Sequence, residues 1–193
     1  MSTKIFFTIL SLIAELGVFL PYYINIWKKE AKPHLFSWTT WGILTGLGFV
    51  LSFSEGGGGG SLIFAVQSIL CLGIAIYALT KREKDITRID WMVFISAVII
   101  TLFYIITKNA AISVLLAATI DFLGFIPTFR KSYSKPYDEP ALTYFLAFLG
   151  VILSIVALDT YNFVTIFYPL TLTITNLAFV VFLFVRRQKI KKS

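Results

Sequence analysis

Two carboxylic acids, Glu15 and Asp121, sit inside runs that are otherwise apolar: IFFTILSLIAELGVFL for the first and VLLAATIDFLGFIP for the second. Each is followed six residues later by a proline, Pro21 and Pro127. An ionised acid near a bilayer centre costs about 2.5–3.5 kcal/mol on insertion scales. The neutral form costs less, so either group could hold a proton at pH 7, and either could meet a cationic group. A pair of this kind suits proton coupling or the binding of a positively charged solute. The competing role is structural, an acid that hydrogen-bonds a neighbouring helix.

Other residues could share a site with them. On one helical face Thr8, Ser11, Glu15 and Tyr22 align at spacings of three, four and seven. Gln67 and Cys71 align in a later run, and Thr165, Pro169 and Asn176 in the last. These side chains could line a polar cavity with the two acids, or make ordinary interhelical hydrogen bonds. Trp41 aligns with Thr45, Gly48 and Ser52 and is placed to stack on a ring-shaped solute. Trp27, Trp38, Trp41 and Trp91 fall at the cytoplasmic ends of their runs, as an interfacial aromatic belt does. Pro21, Pro127 and Pro169 remove backbone donors and are candidate hinges. His34 is the only histidine, and Cys71 the only cysteine, so neither a metal site nor an intrachain disulfide is expected. No phosphate-binding loop, Gly-x-Ser-x-Gly or nucleophile–base pattern is present, so neither an enzyme nor a cofactor is expected.

The elements that must position these residues follow from composition. The 193-residue chain is 58% hydrophobic and 14% charged. Soluble domains carry about 25% charged residues, so lipid is the expected solvent. Seven runs read as spans: 4–27, 35–54, 61–80, 90–107, 109–129, 140–158 and 162–185. They are long and lack a period of two, so helices are expected, not strands. The first run lacks a small-residue cleavage site and continues to Trp27, so a retained helix is expected and not a signal peptide.

Of 17 Lys and Arg residues, only Lys4 and Lys108 fall on one side of this arrangement. The rest lie after the first, third and fifth spans and in the tail. Such a bias places the N-terminus outside and the C-terminus in the cytoplasm. It also accounts for the net charge of +7 without nucleic acid as a partner. Between the second and third spans, SEGGGGGS has the composition of a flexible linker set between natural spans, and flexible coil without chemistry is expected there.

The chain contains an internal repeat. ELGVFLPYYINIWKKEAKPHLFSWTTW from Glu15 parallels DFLGFIPTFRKSYSKPYDEPALTYF from Asp121. Acid, proline and aromatic positions match, and both loops carry Lys-Pro, at Lys32-Pro33 and Lys135-Pro136. Lys81-Arg82 and Arg186-Arg187 close the two units. Two three-helix units joined directly would face opposite ways. A fourth helix between them restores parallel orientation. The expected fold is therefore all-α and membrane-embedded, with seven transmembrane helices in a 3+1+3 order. Residues 1–83 form the first repeat, 84–108 the linker helix, and 109–193 the second repeat with its basic tail.

This order, with a proline late in the first and fifth helices, resembles the SWEET and PQ-loop superfamily. The resemblance covers nearly the whole chain in topology through short motifs, with Pro21-Tyr22 and Pro127-Thr128 where that family has Pro-Gln. It implies an integral protein of a bacterial inner (plasma) membrane that carries a small polar solute, such as a sugar, amino acid or vitamin. The mechanism implied is facilitated or proton-coupled alternating access at a midplane site between the repeats. The family's substrate-contacting asparagine matches Asn176, with Cys71 at the corresponding place in the third helix. The alternative is a membrane receptor on the same fold that binds a ligand without transporting it. The expected partners are a small solute and the lipid bilayer. Two repeats in one chain can complete a path alone, and a homo-oligomer is also compatible.

Overall fold

The computed structural model describes residues 3–29, 33–80, 86–134, 136–137 and 139–190, the side chains of Pro127 and Lys131 excepted. Seven α-helices account for nearly all of it: α1 Thr3–Trp27, α2 Leu35–Ser54, α3 Leu62–Leu79, α4 Arg88–Thr107, α5 Ala110–Ser134, α6 Ala141–Val156 and α7 Phe163–Lys189. No strand occurs among the described residues. Helices begin where side chains can satisfy orphan amides. Thr87 and Asp90 form a reciprocal capping box on α4, and Asn162 and Thr165 form one on α7. His34 Nδ1 accepts from the Ser37 amide to start α2.

Among the described residues, six helices are long and apolar enough to cross a membrane. Their polarity is inverted relative to a soluble bundle. On α1 the buried face is Thr8, Ser11, Glu15 and Phe19, while Ile5, Ile9, Ile13, Leu16, Leu20 and Ile24 are exposed. Apolar stripes of this extent would drive association in water, so lipid is their natural contact.

α6 has 16 residues, fewer than the expected 140–158 run. At 1.5 Å per residue it is about 24 Å long, against a hydrocarbon thickness of about 30 Å. Pro140 caps its start, and at its other end the chain turns at Ala157. There the α2–α3 connection folds over it. The structure corrects the expectation of a flexible glycine linker: Gly58–Ser61 is a turn of 3-10 helix, and Gly57, Gly60 and Ser61 are buried. Gly58 adopts φ +55°, a left-handed conformation suited to glycine, and packs on the Asp159 carboxylate. A Cβ on Gly60 would stand 2.7 Å from the Leu158 nitrogen. The run is glycine because backbone must approach backbone there. α5 and α7 also run farther than expected, to Ser134 and Lys189.

α3 packs against both α1 and α2, and α7 against both α5 and α6. α1 lies along α6, and α2 meets α5. α4 touches α2 and α5. The main apolar core draws on α2 to α7, with Leu44, Leu51, Phe64, Val114, Val151 and Tyr168 fully or nearly fully buried. The expected 83–84 boundary lies outside the described residues, as do Lys32, Lys81, Arg82, Lys84, Lys135, Lys191 and Lys192 of the charge pattern.

Candidate functional site

A cavity of about 420 Å³ lies inside the bundle. Glu15 from α1 and Asp121 from α5 both line it, 1% and 5% exposed. Gln67 and Cys71 reach it from α3, Trp41 from α2 and Asn176 from α7. Thus Glu15, Asp121, Gln67, Cys71, Trp41 and Asn176 border the same space. The helical period explains this on each element: Gln67 and Cys71 are four apart, so both meet the cavity from one face of α3. Cys71, 2% exposed, borders the same cavity as both acids.

Hydrogen bonding divides the lining residues. Glu15 Oε1 and Gln67 Oε1 are buried without a partner among the described residues. Asn176 donates from Nδ2 to the Leu172 carbonyl at 2.8 Å, which leaves its side-chain oxygen for the cavity. Thr45 also lines the cavity, but its hydroxyl is turned onto the Trp41 carbonyl at 2.7 Å. Buried polar groups are normally hydrogen-bonded, so an unpartnered carboxyl oxygen on a residue that borders a cavity calls for an explanation.

Several expected members are elsewhere. Thr8, Ser11, Thr165 and Pro169 are buried but do not border the cavity. Thr8 and Ser11 donate to carbonyls of their own helix, as short hydroxyls do in apolar surroundings. Thr165 is consumed by the cap of α7, where it donates to the Thr160 carbonyl at 2.9 Å. Of the candidate hinges, Pro21 lines the cavity, and α1 and α7 remain continuous helices through Pro21 and Pro169. Pro127 lies within α5, but its side chain is outside the described residues.

The structure also brings in residues not assigned to the site from sequence. Trp38, expected in the interfacial belt, lines the cavity beside Trp41, whereas Trp27 and Trp91 are 85% and 50% exposed. The signal was present: Trp38 and Trp41 are three apart and must share a helical face. Asn25, Glu139, Thr143 and Tyr144 complete the end nearer the α5–α6 connection. The Tyr144 hydroxyl donates to Glu139 Oε2 at 2.9 Å. In the sequence Glu139 stands in a short polar loop and reads as a solvated charge.

The two ends of the cavity differ. Near the α5–α6 connection its lining includes Asn25 and Pro140, both exposed. None of its lining comes from the glycine turn at the other end of the bundle. That end is tied together across the chain. Asp159 N donates to Gly57 O at 3.2 Å, Asn162 Nδ2 to Glu55 O at 3.1 Å, and Lys4 Nζ pairs with Asp159 at 3.2 Å. At the open end the guanidinium groups of Arg186 and Arg187 hold the α5–α6 connection through the carbonyls of Tyr133, Pro136 and Glu139.

The chain is thus an all-helical protein with the length and surface of an integral membrane bundle and an internal acid-lined cavity. Comparison with family models, with curated proteins and with solved structures yields no match. Among the described residues no group of three or more His, Cys, Asp or Glu is arranged to hold a metal ion.

Proposed function

We propose that this protein is a carrier for a small polar solute, built from two parallel three-helix repeats around a shared midplane cavity. The observation that carries this reading is the placement of Glu15 and Asp121, from equivalent positions of the two sequence repeats, on one buried cavity. The helix contacts favour the same division. α3 lies against α1 and α2 as α7 lies against α5 and α6, and the pair α1–α6 is mirrored by α5–α2. α4 then serves as the linker that restores parallel orientation.

Alternating access needs one end shut while the other admits solute. The glycine turn with its ties to Asp159 and Asn162 supplies the shut end. By the charge rule this is the outer face, so the conformation is the inward-facing one. The membrane is the plasma (inner) membrane of a bacterium, with the N-terminus outside and the C-terminus in the cytoplasm. Glu15 and Asp121 are the groups through which protons would be coupled to solute.

Purified protein in liposomes tests the reading directly. Flux of at least one member of a panel of sugars, amino acids, amines and vitamins is expected, with or without a pH gradient. Absence of flux across the whole panel contradicts it. Saturable binding without counterflow would instead identify a receptor.

A further inference from the structure

The cavity's chemistry narrows what it can hold. Three carboxyl-bearing residues line it, Glu15, Asp121 and Glu139, and none of its described lining residues is Lys, Arg or His. The space is therefore negative or neutral at every protonation state of its walls, with no counter-charge for an anionic solute. Where these groups are ionised they repel an anionic solute, and no cationic lining residue offsets that repulsion. Glu15 provides the independent sign of a ligand: its side chain is 1% exposed, it borders the void, and its Oε1 has no partner among the described residues.

Next to Glu15 stands an aromatic corner. Phe19 and Tyr22 lie one and two turns along α1 from it, and Trp38 and Trp41 face them from α2. All four line the cavity. Tyr22 and Trp38 have ring centroids 4.7 Å apart at 54°, and Trp38 and Trp41 5.3 Å apart at 85°. Phe19 lies 6.0 Å from Trp38 at 59°. Rings set at steep angles make walls, not a single stack. Their negative faces attract a cation whose charge is spread over alkyl groups, and aromatic cages of this kind recognise quaternary ammonium groups.

We propose that the cavity binds an alkylated ammonium cation, with its charge set against Glu15 and Asp121 and its alkyl groups against Phe19, Tyr22, Trp38 and Trp41. A sugar offers hydroxyl donors to Glu15 but no positive charge for the carboxyls or the aromatic faces. A bare metal ion would find too few ligands and too much space. The assignment rests on the carrier reading for its transport aspect, while the binding itself does not require movement across the membrane.

Thermal unfolding of the purified full-length protein in detergent tests the assignment. A ligand that binds only the folded state raises the midpoint with concentration. The probes are choline, benzyltrimethylammonium, 3,3-dimethylbutan-1-ol as the uncharged isostere of choline, pivalate as an anion of similar bulk, and a set of sugars. Both cations are expected to raise the midpoint in a saturable manner, and the isostere, the anion and the sugars are not. Glu15→Gln should weaken cation binding at least tenfold. Trp38→Ala should do likewise, and Trp38→Phe should retain more of the binding than Trp38→Ala. Each variant is scored only against its own ligand-free midpoint and elution profile, so a folding defect is separated from lost recognition. An isostere that matches choline would overturn the assignment, as would a sugar or anion that binds where neither cation does. In that last case, flux of the same sugar or anion in liposomes would leave the carrier reading standing. No shift with any probe also overturns the cation assignment, and the liposome panel then decides the carrier reading separately.

Discussion

Replacing Glu15 by leucine separates the two roles open to this residue. If the carboxyl were a structural link between helices, its loss would destabilise the bundle. Instead, its Oε1 is buried without a partner among the described residues, and such groups cost about 1–3 kcal/mol. Glu15→Leu is therefore expected to raise the thermal midpoint in detergent, by an amount equivalent to about 1–3 kcal/mol, while abolishing solute flux. A lowered midpoint would return Glu15 to the structural role. At the equivalent place in the second repeat, Asp121→Asn is expected to remove the pH dependence of flux. An unchanged pH profile in that variant would end the coupling role of Asp121 and leave the carrier intact. At this scale the sequence was informative because an acid in an apolar run needs a reason for being there. Trp38 and Glu139 were harder to read. A tryptophan near a helix end has two plausible surroundings, and a loop glutamate is ordinarily a solvated charge.

Among the elements, the turn between α2 and α3 departs most from expectation. Five consecutive glycines suggest coil when only local conformational freedom is considered. The conformation actually adopted is imposed by partners distant in the chain: Thr8 of α1, Ser154 in the last turn of α6, and Leu158 and Asp159 beyond it. No local pattern encodes those contacts, and the same contacts explain why α6 stops short of its apolar run. The seven helices themselves were legible because span length and the absence of a two-residue period are local properties. Gly60→Val is expected to lower stability by about 1–3 kcal/mol through overpacking against Ser154 and Leu158. Lys4→Ala, which removes an ion pair whose side chains are 45% and 56% exposed, is expected to change the midpoint little. Thermal melts of the two variants side by side check the contrast. A larger loss for Lys4→Ala than for Gly60→Val would mean that the ion pair, and not the backbone packing, holds this end together.

Over the whole molecule, the account requires that one buried space communicate with each face of the membrane in turn. The protein carries its own reporter for this. Cys71 is its only cysteine, and it lines the cavity together with Glu15 and Asp121. The most direct measurement is labelling of Cys71 in the native sequence by a membrane-impermeant thiol reagent, applied to right-side-out spheroplasts and to inverted vesicles. Labelling from both faces, slowed when the cavity is occupied, is the predicted result. Labelling from one face alone under all conditions would contradict a path through the membrane.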